Sequence, residues 1–114
     1  ALLQGDGHSG LGQLVATRFM QRLIPKAAEA GLCVGTLRNS NDWGCGGWYP
    51  HLAAQAGLAC VATTTSVPNL APYGSRTKMF GNNPIAFAFP PSCLRMDASI
   101  SAASIPIRSE RTPT

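Results

Sequence analysis

Thr36 to Gly44 reads Thr-Leu-Arg-Asn-Ser-Asn-Asp-Trp-Gly. This stretch gathers a cation, a carboxylate, amides, a hydroxyl and an aromatic ring between two apolar segments. Arg38 has the fork geometry that pairs with an anion, either substrate or cofactor, or with a structural carboxylate. Asp42 is the carboxylate of the stretch. The same residues also suit a plain polar turn with an Asn and Asp helix cap. Both readings stand on local grounds. A strand-to-helix turn is where α/β proteins place ligand-binding groups, because rigid elements flank it.

A second set of candidates lies at the start. Gly5, Gly7 and Gly10 satisfy G-x-G-x-x-G, in which glycines let a pyrophosphate approach a helix N-terminus. Only Ala1, Leu2 and Leu3 precede them as strand material, so a glycine-rich loop is the preferred reading. His8 and His51 are not spaced with Cys33, Cys45, Cys60 or Cys93 as metal ligands, and no metal site is expected. Cys33 and Cys60 read as small buried residues, and His51 as a packed or surface histidine.

The elements that must hold these residues are legible from periodicity. Leu11, Leu14, Val15, Phe19, Leu23, Ala27 and Ala30 predict a long helix, with Ser9 as its N-cap and Gly31 at its end. Pro25 is expected to kink or split it. Leu32 to Leu37 predicts a buried parallel strand. Trp48, Tyr49, Leu52, Ala53 and Ala56 form the face of a second helix closed by Gly57, with Pro50 in its first turn. Leu58 to Thr63 predicts another strand, which would complete a βαβ unit with the one before. Residues 65–84 form a long polar loop whose prolines and Tyr73 favour order. Ile85 to Phe89 is a further strand. The fold class is therefore α/β, with helices packed on a short mixed or parallel sheet.

With 114 residues the chain has room for one domain. We divide it into 1–90, a partial central domain, and 91–114, a tail rich in Ser, Ala, Arg and Pro that reads as disordered or aberrant. Charged residues make up only 12%, about half the usual share. The net charge of +4 is spread without basic-aromatic runs, which argues against nucleic acid. No apolar run is long enough for a bilayer, and a reducing cytoplasmic setting is expected.

In order and spacing, residues 3–90 resemble the malate/L-lactate dehydrogenase family that is distinct from Rossmann-type dehydrogenases. The matching residues are Gly5-Asp6-Gly7, Gly10-Leu11-Gly12-Gln13, Arg38-Asn39-Ser40-Asn41, Gly44, Thr65-Ser66-x-Pro68, Ala71-Pro72-Tyr73-Gly74 and Gly81-x-Asn83-Pro84-Ile85-Ala86-Phe87. The resemblance implies a partial non-Rossmann NAD(P)-binding fold and oxidoreduction of a 2-hydroxy or 2-keto acid with NAD or NADP. It implies cofactor contacts from Ser66, Gly81, Asn83 and Pro84, and a substrate contact from Arg38. It implies a homodimer at full length, with further segments of the site outside this chain.

Position 42 departs from the family pattern. The family's Arg-Asn-Ser-Asn-His-Phe-Gly segment carries an acid/base histidine, and here Asp42 and Trp43 stand in place of His and Phe. A carboxylate ordinarily ionises near ~4 and donates protons poorly at neutral pH. Impaired catalysis is expected, from Asp42 and from the missing segments. The alternatives are a non-catalytic remnant or nucleotide-binding module, and a small Rossmann NADP reductase. The second would need a Tyr-x-x-x-Lys that Tyr73 and Lys78 do not form.

Overall fold

Residues 1–91 are described in a computed structural model. The expected tail, including Cys93, lies outside the described residues from Ser92 onward. The elements run β1 (Leu2–Asp6), α1 (Gly12–Ala30), β2 (Val34–Arg38), α2 (Trp48–Gln55), β3 (Cys60–Thr63) and β4 (Ile85–Ala88).

β1 and β2 pair in parallel, with Leu2 opposite Val34 and Asp6 opposite Arg38. A first strand therefore does precede the helix, contrary to the sequence reading. Gln4, Gly5 and Asp6 are poor strand formers, and only pairing with β2 holds them extended. Gly5 sits inside β1, where an added Cβ would lie 2.9 Å from the Phe19 ring. Gly7 meets the Asn39 backbone in the same way. These two glycines are thus accounted for by close packing.

β3 pairs antiparallel with β4, Cys60 opposite Ala88 and Thr63 opposite Ile85. The βαβ unit is therefore β1-α1-β2, whereas the expected unit through α2 does not form. β3 turns instead to the strand that follows it, so the described residues hold two separate two-stranded sheets. β2 was expected to be buried, yet Val34 is 54% exposed. The burial that parallel strands normally receive on both faces is missing from this pair.

The core lies between the helices. Ala16 and Met20 of α1 meet Tyr49 and Ala53 of α2, with Leu23, Ile24, Leu37, Trp43, Leu52, Leu58 and Cys60 packed around them. The buried stripe of α1 is Gly12, Ala16 and Met20, four residues apart. Leu11 and Leu14, read as part of the inner face, point outward. In α2 the buried residues are Tyr49, Pro50, Ala53 and Ala54, while Trp48 and Ala56 are exposed. Cys33 is likewise only half-buried, as is Cys60.

α1 is one helix across Pro25. Both Pro25 and Gln21, whose carbonyl loses its partner, are exposed, so water can serve that carbonyl and the helix continues. Leu11, not Ser9, is the N-cap residue, and no side chain caps it. Gly31 ends α1 at φ 79°, the left-handed geometry glycine adopts freely. Among the described residues no helix is long and apolar enough to cross a membrane.

The long loop is ordered by contacts other than Tyr73, which is fully exposed. Leu70 and Phe80 form a bridge across it, and Ser66 is tied to Asn82 and Asn83.

Candidate functional site

Two polar clusters emerge from this frame. The first lies where β1 and β2 end side by side. Asp6 is its hub. Its carboxylate accepts from Arg38 Nε at 2.9 Å, from Asn39 Nδ2 at 3.0 and 3.1 Å, and from the His8 backbone N–H at 2.9 Å. The His8 N–H, then the Asn39 amide and the Arg38 guanidinium hold the Asp6 carboxyl below its ordinary value; burial opposes them only in part. His8, Ser9 and Asn39 all have positive φ, at 47°, 57° and 52°. Such conformations cost about 1 kcal/mol or more each away from glycine. The Asp6 bonds, and the Ser9 N–H donated to the Asn39 carbonyl at 2.8 Å, hold them in place.

Arg38 is therefore engaged by a structural carboxylate, although its side chain is 79% exposed. Asp6 emerged from the sequence only as part of a glycine motif. A carboxylate between two glycines at a strand end was the available signal.

This cluster gives a pH prediction. A carboxyl with a depressed folded-state value contributes stability above its ordinary value near 3.8. That contribution is lost as pH falls through the depressed value. Melting temperature of the unaltered chain should drop more steeply below this range than that of Asp6→Asn, which should be less stable at neutral pH. Parallel acid limbs would refute the hub role of Asp6.

Asn41 and Asp42 follow directly. Asn41 Nδ2 donates to the Ser9 carbonyl at 2.7 Å and the Gly10 carbonyl at 3.1 Å. The Asn41 and Asp42 carbonyl oxygens lie against Gly12, leaving no room for a Cβ there. The backbone at position 42 is thus pinned to the start of α1. The Asp42 side chain is exposed and, among the described residues, accepts only from the Gly44 N–H, at 3.0 Å. It closes a local turn. It does not cap α2, which begins at Trp48 with Gly47 as N-cap residue. Trp43 stacks on Tyr49 at 5.1 Å between ring centroids, and the Tyr49 hydroxyl donates to the Trp43 carbonyl. Burial, then the Asp42 and Cys45 charges, push the Tyr49 phenol up. His51 packs near Trp48, with its Nδ1 lacking a partner among the described residues.

The second cluster joins residues 66 and 81–84 across the long loop. The Ser66 N–H donates to Asn83 Oδ1 at 3.1 Å. The Ser66 hydroxyl donates to Asn82 Oδ1 at 2.8 Å and accepts the Asn82 N–H at 2.9 Å. Gly81 lies directly on Ser66, and a Cβ there would overlap the Ser66 carbonyl and hydroxyl oxygens. The Pro84 carbonyl accepts from Thr63 Oγ1 at 3.1 Å and the Thr64 N–H at 3.3 Å, which places the turn at the end of β3. Ser66, Gly81, Asn83 and Pro84 are thus brought together. Asn82, the unspecified position of Gly81-x-Asn83-Pro84 in the sequence, belongs with them. Among the described residues, no hydrogen bond or ion pair links Arg38 or Asp42 to this cluster.

A sequence profile of the malate/L-lactate dehydrogenase family matches residues 1–106. The chain belongs to this family. It is 37% identical over 100 residues to L-sulfolactate dehydrogenase of Methanocaldococcus jannaschii, covering 88% of this chain and 29% of that protein. It is 36% identical over 105 residues to 2,3-diketo-L-gulonate reductase of Citrobacter koseri, covering 91% and 32%. The solved structure of malate dehydrogenase from Pyrococcus horikoshii OT3 superposes with a TM-score of 0.68 and 42% identity, over 75% of this chain and 24% of that one. The chain thus spans about a quarter to a third of these relatives. The two-sheet α/β arrangement is a part of the fold found in this dehydrogenase family.

Proposed function

We propose that this chain is the part of an NAD(P)-dependent 2-hydroxyacid oxidoreductase that holds the nicotinamide end of the cofactor. The cofactor would supply a hydride acceptor or donor. The observation that carries the reading is the convergence of Ser66, Gly81, Asn83 and Pro84 into one hydrogen-bonded turn. The residues fit such a group. Ser66 is half-buried with a free lone pair, and the Asn82 and Asn83 side-chain amides, both exposed, have no acceptor among the described residues. Hydroxyls, amides and phosphates of a dinucleotide are complementary to that set.

In this reading residues 1–90 are the working portion. Arg38, oriented by Asp6, presents its exposed guanidinium to the acid's carboxylate. Asp42 stands where the family's proton-transferring group stands. As a carboxylate it neither donates a proton readily nor tolerates an anionic substrate close by. The chain therefore binds dinucleotide and turns over poorly. A module that binds without catalysis is the second reading, and Asp42 is what favours it.

Titration with NADH and NADPH, followed by cofactor fluorescence, tests the proposal. Saturable binding of one of them at micromolar concentration is expected, weakened by Ser66→Ala. No binding of either would remove the cofactor reading.

A further inference from the structure

We propose that Asn82 is a positioning residue that fixes the polarity of the Ser66 hydroxyl, so that Ser66 meets a bound ligand only as a hydrogen-bond acceptor. The proposal rests on the reading that this turn holds the nicotinamide end of a dinucleotide, and it specifies what that end must present.

A serine hydroxyl has one proton to give and two lone pairs. In this turn the proton is given to Asn82 Oδ1 at 2.8 Å. One lone pair takes the Asn82 backbone N–H at 2.9 Å. One lone pair remains, on a half-buried side chain that a ligand can still reach. The main chain of Ser66 is held separately, by Asn83 Oδ1 on its N–H and by the Gly81 backbone against its carbonyl. Removing the Asn82 side chain therefore frees the hydroxyl proton without freeing the backbone beneath it.

The consequence is a rule of recognition. A ligand group that carries N–H or O–H gains a hydrogen bond at Ser66. A group that only accepts gains none, because no proton is available to it. At the nicotinamide end, the carboxamide N–H and the ribose hydroxyls are such donors. Without Asn82 the hydroxyl rotates and can donate, and the distinction fades.

The test is calorimetric titration of the 114-residue chain with three ligands. These are the dinucleotide that binds, its 3-acetylpyridine analogue, which keeps the carbonyl but lacks the amide N–H, and its 2′-deoxy-2′-fluoro analogue at the nicotinamide ribose, which keeps an acceptor there but has no proton to give. One of the two analogues should bind about tenfold more weakly than the parent, which identifies the donor that Ser66 accepts from. In Asn82→Ala that penalty should shrink to about threefold or less. Asn82→Asp, which still accepts the Ser66 proton, should keep it, since added charge affects all three ligands alike. Ser66→Ala should abolish it. A penalty unchanged in Asn82→Ala, or no penalty for either analogue, overturns the proposal while leaving the cofactor reading intact. Failure of the parent dinucleotide to bind the unaltered chain overturns both. Circular dichroism of each variant separates loss of binding from loss of fold.

Discussion

Asp42→His should raise the rate of keto-acid-dependent NAD(P)H oxidation by about 100-fold or more, the scale on which a positioned acid/base group contributes. The substitution needs little from its surroundings. The backbone at residues 41 and 42 is held by Gly12 and by the Asn41 bonds to Ser9 and Gly10, none of which uses the side chain at 42. Among the described residues, only the bond to the Gly44 N–H is lost. That costs about 1 kcal/mol at an exposed site. The new rate should carry an inflection near ~6.5, where an unperturbed imidazole titrates. Initial rates with a panel of 2-keto acids between pH 5 and 9 would show it. A variant that still binds dinucleotide but turns over no faster would place the deficiency elsewhere than residue 42.

The second large effect concerns stability. Gly12→Ala should destabilise the chain by about 3 kcal/mol or more, the upper range for overpacking. The added Cβ would overlap two backbone carbonyl oxygens, those of Asn41 and Asp42. Neither can swing aside as a side-chain tip could. Relief requires moving the whole 41–42 segment off the start of α1, which also breaks the Asn41 anchors. Gly31→Ala makes the natural comparison. Nothing lies within 4 Å of a Cβ there, so only its positive φ of 79° is costly, at about 1 kcal/mol. Urea unfolding of the two variants should rank them in that order. Equal midpoints would mean that the 41–42 segment is not packed against α1.

The sequence was most informative where periodicity ran long. α1 announced itself over nineteen residues, and Gly31 marked its end. It was least informative where pairing overrides propensity. Gln4, Gly5 and Asp6 do not resemble a strand, yet β2 makes them one. The partner of β3 could not be read from Leu58 to Thr63, since an apolar run does not say which strand it will meet. The inner face of α1 was read to include Leu11 and Leu14, which point outward, while its buried stripe is Gly12, Ala16 and Met20, because the 41–42 backbone closes directly on Gly12. The two polar clusters differ in the same sense. Ser66 and Asn83 were found through the family resemblance, and the structure brings them to 3.1 Å. The Asp6–Arg38 pair spans 32 residues and depends on the register of β1 against β2, which no local pattern encodes.

Each of the two strand pairs has, by geometry, two outer rims, and among the described residues nothing hydrogen-bonds to them as a third strand. Val34 and Val61 lie exposed on these ribbons, and only 12% of the residues are charged. Unpaired backbone beside exposed apolar side chains is a template for another copy of the same strand. The handling of this chain in solution is accordingly a colloidal matter. Encounters between two molecules are then expected to limit its soluble yield, so dilution and a lysine introduced on the rim, as in Val34→Lys, should preserve it better than cooling.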